Sequence, residues 1–189
     1  MSTTNPTPEQ QFADSLRFAE LGDGIVVLQI HGRGSFVNSV AFLKLAERLA
    51  TKYGKGKYFF ILDLDKCSTM DSTFLGALAS IALRQRKECD RAVVVVNAND
   101  HTRKLLDTLG ISRFVEMPGQ KGKGPGPIPA DASFHEEQIP EVSKLDRIVH
   151  MIETHQKLCE VDSENEARFE NVLRYLHESL GREQQGQEG

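Results

Sequence analysis

Apolar residues recur along the first two thirds of the chain in alternating strand-like and helix-like segments. Residues 24–31 are mostly apolar and end at a Gly-Arg-Gly sequence, and residues 15–21 can pair with them across a Gly-Asp-Gly turn. Residues 40–53 carry apolar positions at helical spacing. Residues 58–64 and 91–97 are nearly continuous apolar runs, which are typical of strands buried on both faces of a sheet.

The same alternation continues to residue 117. Residues 73–86 predict a helix that is apolar in its first half and basic at its end, which suits the negative pole of the helix dipole. Residues 100–109 predict an amphipathic helix closed by Gly110, and residues 114–117 predict a short last strand. The order ββαβαβα(β) predicts an α/β fold, a small and mainly parallel sheet with helices packed on it, over residues 15–117.

The composition changes sharply at Pro118. Residues 118–140 contain five of the seven prolines and four glycines, so they predict a linker in which no element persists. Residues 141–183 return to helical spacing and predict a C-terminal α-helical hairpin. Residues 1–14 and 184–189 are expected to be flexible termini.

The predicted hairpin carries an apolar stripe on each helix but is too short to be stable alone. It is therefore expected to dock on the α/β core or on a partner, or to form a homo-oligomer with a second copy. The stripe residues are Leu145, Ile148 and Ile152 on the first helix, and Phe169, Leu173 and Leu176 on the second.

Charge and composition narrow the classes of function. The net charge of −4 argues against nucleic acid as a partner, because phosphate binding needs a concentrated basic face. No apolar run approaches the ~20 residues that cross a bilayer, and residues 1–11 do not resemble a signal peptide, so a cytoplasmic protein without direct membrane insertion is expected. The three cysteines are widely spaced and match no zinc or disulfide pattern.

The candidate chemistry lies where the strand at residues 58–64 leads, through a polar stretch, to the next helix. Asp71 and Ser72 stand where that helix begins. A helix N-terminus offers unpaired N–H groups and a partial positive charge, so a phosphate on Ser72 would be accommodated there. From chemistry alone, the commoner interpretation of an Asp-Ser pair at this position is that Ser72 is simply an N-cap. Thr73 is the second-choice phosphate acceptor.

Two segments of this junction resemble STAS domains, the family of the anti-sigma-factor antagonists. The family's strand pattern xxLDLSxV is similar to residues 60–67 (FILDLDKC), and its xxDSSGLGxL pattern is similar to residues 70–78 (MDSTFLGAL). The order and spacing of the predicted elements agree with the family over residues 15–117. The resemblance therefore covers a little over half of the chain.

The resemblance implies a bacterial regulatory module rather than an enzyme, with no cofactor and no metal. In the family, the residue at the position of Ser72 is phosphorylated by a partner serine kinase that is also an anti-sigma factor. The unphosphorylated antagonist binds that kinase and frees the sigma factor, so transcription is regulated by one serine. The residues expected to contact the partner are Asp71, Ser72, Thr73, Phe74, Arg33, Ser35 and Asn38.

This sequence departs from the family pattern at two places. Phe74 replaces a glycine and is expected to reshape the docking surface, and Ser35 stands where an acidic residue is common. These departures suggest an alternative, a STAS subunit of another assembly such as a lipid transporter or a signalling scaffold. A third hypothesis is a flavodoxin-like enzyme or ligand binder, but no acid–base pair supports it. His155 and Cys159 have a permissible metal-ligand spacing but no second pair.

Overall fold

The computed structural model describes residues 14–118 and 128–187, which contain seven strands and five α-helices. The strands are β1 (Ser15–Gly22), β2 (Ile25–Gly34), β3 (Phe59–Asp63), β4 (Cys67–Met70), β5 (Val93–Val96), β6 (Val115–Glu116) and β7 (His135–Glu137). The helices are α1 (Ser39–Tyr53), α2 (Ser72–Cys89), α3 (Asp100–Thr108), α4 (Lys144–Val161) and α5 (Glu164–Gln187), with a short 3-10 helix at Ile111–Arg113.

The strands form one mixed sheet in the order β6-β5-β3-β2-β1-β7, and β4 pairs separately with the end of β2. The β1–β2 hairpin is antiparallel, whereas β2, β3, β5 and β6 run parallel. All five residues of β3 are buried, as its continuous apolar sequence predicts for a central strand. The predicted α/β class with a mainly parallel sheet and a C-terminal helical hairpin is confirmed.

The two faces of the sheet are covered differently. Alternate residues of β2 and β3, such as Leu28 and Leu62, belong to the main core together with α1 and α2. The residues between them, such as Val27 and Ile61, belong to a small second cluster, against which Phe134 packs. The helices therefore form one thick layer on one face of the sheet.

Three expectations about element limits are wrong. Strand β7 lies inside the predicted linker, where Leu16 to Phe18 of β1 pair with it in antiparallel register and satisfy its backbone. Residues 67–70, part of the polar stretch for which no element was expected, form β4, because Gly32 to Gly34 extend β2 far enough to pair with them. Helix α5 continues to Gln187, past the expected flexible end at residue 183.

The C-terminal hairpin docks on the α/β core. Leu158 and Val161 of α4 and Phe169 of α5 are buried in the main core. Ile152 and Leu176 are buried between α4 and α5. Docking therefore buries apolar residues of both predicted stripes within one chain. None of the helices in the described ranges combines the length and apolar character needed to cross a membrane.

Candidate functional site

Ser72 is the first residue of α2, and Asp71, rather than Ser72, is the N-cap of the helix. The Asp71 backbone is extended, and its Oδ1 accepts a hydrogen bond of 2.9 Å from the Phe74 N–H. Its Oδ2 accepts a second bond of 2.8 Å from the Phe36 N–H in the β2–α1 loop. One carboxylate thus fixes the start of α2 and the neighbouring loop, so Ser72 is held by backbone that cannot shift independently of that loop.

The Ser72 hydroxyl lies against the C-terminal hairpin. Its Oγ is 2.9 Å from Nε2 of His155, a buried side chain on α4. The other ring nitrogen, Nδ1, is 2.7 Å from the Met151 carbonyl oxygen. A carbonyl oxygen only accepts, so in the neutral ring Nδ1 carries the hydrogen and the Ser72 hydroxyl donates to Nε2. Phe169 of α5 meets the same ring edge-on at 4.9 Å between centroids.

Burial also determines the charge state of His155. Removal from water lowers its pKa, against the opposing effects of the Met151 hydrogen bond and the Asp71 carboxylate. The ring is therefore neutral at physiological pH, consistent with its role as acceptor for Ser72. His150, five residues earlier on α4, has its pKa lowered by burial and by Lys44. Its Nε2 is 2.9 Å from Oγ of the buried Ser39 at the start of α1.

A glycine allows α4 to approach α2 this closely. Gly76 lies one turn after Ser72 and so on the same face of α2. A Cβ on Gly76 would collide with the carbonyl oxygen of Thr154 and lie 2.7 Å from its carbonyl carbon. The α2–α4 contact is therefore a backbone approach next to Ser72, with Thr154 only 2% exposed.

Asn38 organises the β2–α1 loop from inside. Its Oδ1 accepts from the Ser35 N–H at 2.8 Å, and its Nδ2 donates to the Arg33 carbonyl oxygen at 2.8 Å. The side chain is 1% exposed and cannot contact a docked partner directly. Arg33 is exposed and pairs with Asp14 at 3.4 Å, while Ser35 is half-buried.

Thr73 and Phe74 lie in the interior rather than on the surface. Thr73 is 3% exposed, which disfavours it as a phosphate acceptor in this conformation. Phe74 is fully buried and stacks on Phe42 of α1 at 4.5 Å between centroids. The expectation that Phe74 reshapes the docking surface directly is wrong, because its ring fills the space between α1, α2 and the Gly34 backbone.

The structure adds two exposed apolar residues that sequence reasoning missed. Phe36 and Val37 are 40% and 55% exposed in the β2–α1 loop. The Phe36 N–H bonds to Asp71, so this apolar patch adjoins the start of α2. The guanidinium of Arg147 on α4 lies 5.8 Å from the Phe36 ring centroid. Two consecutive large apolar residues in an otherwise polar loop were the available signal.

Other polar side chains in this part of the fold make structural hydrogen bonds. Asp63 is buried and accepts hydrogen bonds from Gln29 at 2.8 Å and Asn97 at 2.9 Å. His155, weighed as a metal ligand with Cys159, is bonded to Ser72 and Met151. Over residues 14–118 and 128–187, no three His, Cys, Asp or Glu side chains are grouped so as to hold a metal ion.

Comparison with known proteins assigns the family. The STAS domain family model matches residues 19–121, which contain β2 to α3, Asp71 and Ser72. The chain therefore belongs to the STAS domain family. No curated protein sequence matches it significantly.

Several solved structures are similar to part of the chain. An anti-sigma factor antagonist from Mycobacterium paratuberculosis is 18% identical, with a TM-score of 0.46 over 60% of this chain and 89% of that one. SpoIIAA, the Bacillus cell fate determinant, in its phosphorylated form is 14% identical, with a TM-score of 0.45 over 56% and 93%. SLC26A9 is 20% identical, with a TM-score of 0.39 over 56% and 21%.

Proposed function

We propose that this protein is a regulatory, non-enzymatic binding module whose partner is a serine kinase that also acts as an anti-sigma factor, and that phosphorylation of Ser72 switches the interaction. Membership of the STAS family and the Asp71-Ser72 junction support the proposal. The observation that carries it is the position of the Ser72 hydroxyl at the first turn of α2, beside a capping carboxylate and an exposed apolar loop. A kinase that uses ATP would meet the protein in the cytoplasm.

The proposed reaction changes the surface at Ser72 more than the α/β core. The γ-phosphoryl group of ATP passes to Ser72 Oγ, so that the bond to ADP breaks, the Oγ–P bond forms and the hydroxyl proton leaves to a base of the kinase. The product carries about −1.5 to −2 charges. The α2 N-terminus favours that charge, whereas the Asp71 carboxylate repels it. A partner suited to an uncharged Ser72 would therefore meet a doubly acidic surface.

Phe36 and Val37 supply the apolar part of the proposed partner surface. They are among the four exposed large hydrophobic residues of the described ranges, and they adjoin Asp71. Exposed Arg33 lies on the same loop. An apolar centre with charged groups around it is the usual composition of a protein-binding patch.

The second candidate is a STAS subunit of another assembly, without a role in sigma-factor control. The α4–α5 hairpin favours it, because α4 packs directly beside Ser72, where a kinase would have to reach the hydroxyl. A lipid transporter component or a signalling scaffold would use the α/β module without that switch.

Affinity capture of the full chain, with mass spectrometry of phosphosites and partners, separates the two candidates. The Ser72→Ala variant is expected to retain a serine kinase, and Ser72→Asp is expected to lose it, because the added charge replaces the hydroxyl. Ser68→Asp is the matched control, since Ser68 is exposed and four residues earlier. Equal kinase capture by Ser72→Ala and Ser72→Asp, or transporter subunits without a kinase, would contradict the sigma-factor circuit.

A further inference from the structure

The α4–α5 hairpin places a histidine on the serine proposed as the switch. The Ser72 Oγ and His155 Nε2 are 2.9 Å apart, and this contact joins residues 83 positions apart in the sequence. The His155 ring cannot turn away freely, because Nδ1 bonds to the Met151 carbonyl oxygen and the Phe169 ring lies against it in an edge-on arrangement. Ser72, which is half-buried, is thus covered on this side by a fixed group of the same chain.

A phosphoryl group does not fit this arrangement. A hydrogen bond of 2.9 Å leaves room for one hydrogen atom, whereas phosphorylation adds a phosphorus and three oxygens at Oγ. The hydroxyl hydrogen that Ser72 donates to His155 is also lost. The phosphate therefore needs either another direction from α2 or a movement of α4.

Close packing prevents a small adjustment of α4. Gly76 and Thr154 meet through their backbones next to Ser72, so no gap between α2 and α4 is available for the added atoms. Further along α4, Leu158 and Val161 are buried in the main core. Well-packed contacts of this kind separate as a unit rather than deform gradually.

We propose that the α4–α5 hairpin is an intramolecular cover for Ser72, and that docking of the hairpin and phosphorylation of Ser72 exclude each other. The inference rests on the proposed function for the identity of the switch, but its physical content is a coupling between one phosphate and one docked hairpin. By linkage, a phosphate that weakens docking implies that docking hinders phosphorylation to the same degree in free energy. The docked hairpin holds Ser72 unmodified until it opens, and the phosphate then keeps it open.

Hydrogen exchange on the full chain with phosphoserine incorporated at position 72 tests the coupling without any kinase. The amides of residues 144–161 are expected to exchange about tenfold faster or more than in the unmodified chain, a typical size for such coupling. Amides of β3 and β5 should keep their protection, which shows that the core remains folded. Phosphoserine at exposed Ser68 is the matched control and should leave α4 exchange unchanged.

Gly76→Ala provides a second route to the open hairpin. The added Cβ collides with the Thr154 backbone, so α4 amides should exchange faster without phosphate. Phosphoserine at position 72 should then add little in this background, because both changes break the same contact. Unchanged or slower α4 exchange with phosphoserine at position 72 would overturn the proposal. Slower exchange would be the result if a charged His155 formed an ion pair with the phosphate. Full additivity of the two changes would do the same.

The two proposals fail in different ways. If α4 opens in the chain with phosphoserine at position 72, but Ser72 is never phosphorylated in cells, the proposed function is refuted and the coupling stands. A kinase that modifies Ser72 while α4 exchange stays unchanged would refute the cover and leave the function intact.

Discussion

Phe74 shows how one substitution in a family pattern is absorbed by a neighbour. The ring is fully buried and stacks on Phe42. Gly34 of β2 makes room for it, since a Cβ there would lie 2.8 Å from two Phe74 ring carbons and 3.0 Å from Met70 Cγ. The Phe74 ring therefore extends the core toward β2. The surface around Ser72 is formed by Asp71 and Phe36 instead.

Gly34→Ala should destabilise the protein by about 1–3 kcal/mol, as expected for overpacking of a close-packed interior. The cost should be steric, because the atoms that the new methyl group meets are a buried ring and a buried methionine. Urea denaturation followed by circular dichroism measures the free energy of unfolding. Gly181→Ala is the control, since a Cβ there meets nothing within 4 Å and α5 should gain up to about 1 kcal/mol. Equal effects of the two changes would refute this packing argument.

Asp71 holds two backbone N–H groups with its two carboxylate oxygens. Asp71→Ala removes both acceptors and should cost about 1–2 kcal/mol of unfolding free energy. Asp71→Asn keeps one carbonyl oxygen, so it should cost less and should loosen the Phe36 side of the loop while preserving the cap. Thermal denaturation gives the order of stability, and amide exchange at Phe36 and Phe74 assigns the lost bond. An asparagine variant as unstable as the alanine variant would contradict this division.

At the scale of elements, the sequence predicts the helices and the central strands well, but it does not predict the short strands that pair with β1 and β2. The apolar runs of β3 and β5 and the stripes of α4 and α5 carry enough periodicity to be found. Strands β4 and β7 are short and carry no continuous apolar run, and they form because β2 and β1 offer backbone hydrogen-bonding groups to them. Such strands have no signal of their own.

In the candidate site, too, local features could be predicted from the sequence, whereas contacts between distant segments could not. The start of α2 at Asp71 and Ser72 was predictable, because a motif at a strand–helix junction is local in the sequence. The contact between His155 and Ser72 was not predictable. The apolar stripe of a helix shows that one face is buried, but it does not show which surface covers that face. Gly76 carried part of the missing information, as a glycine in a helix interior often marks a close approach.

The docking of α4 should weaken in mild acid. Burial lowers the pKa of His150 and of His155 from the ordinary value of 6.5, so the unfolded chain binds more protons once the pH falls below that value. The free energy of unfolding should therefore be steady above about pH 7.5 and decrease toward about pH 5.5. Urea titrations at several pH values measure the slope.

A variant that carries both His150→Gln and His155→Gln should be less stable at neutral pH and should have a smaller slope. A part of the slope should remain from His31 of β2, because burial and Arg17 also lower the pKa of that side chain. His177→Gln is the matched control, because His177 is an exposed histidine on α5. An undiminished slope in the double variant would place the pH dependence elsewhere in the molecule.

For the whole molecule, the corner between α4 and α5 joins the hairpin to the α/β core. Asn165 is fully buried, and its Nδ2 donates to the carbonyl oxygens of Leu109 at 3.1 Å and of Leu158 at 2.8 Å. Arg113 adds an ion pair of 2.7 Å to Asp162 and a hydrogen bond of 3.0 Å to the Val161 carbonyl oxygen. For α4 to move away from Ser72 while the core stays folded, this corner must either stay attached to the core or act as a hinge.

Asn165→Ala should separate the stability of the hairpin from that of the core. Removing the amide leaves two buried carbonyl groups without this donor, at a cost of about 1–3 kcal/mol. The loss should appear mainly as faster amide exchange and faster proteolysis in α4 and α5, because the sheet does not depend on Asn165. Asn171→Ala, an exposed change on the same helix, should leave both readouts unchanged. If Asn165→Ala instead raised exchange equally in β3 and α4, the hairpin and the core would open only together, and Ser72 could be uncovered only by global unfolding.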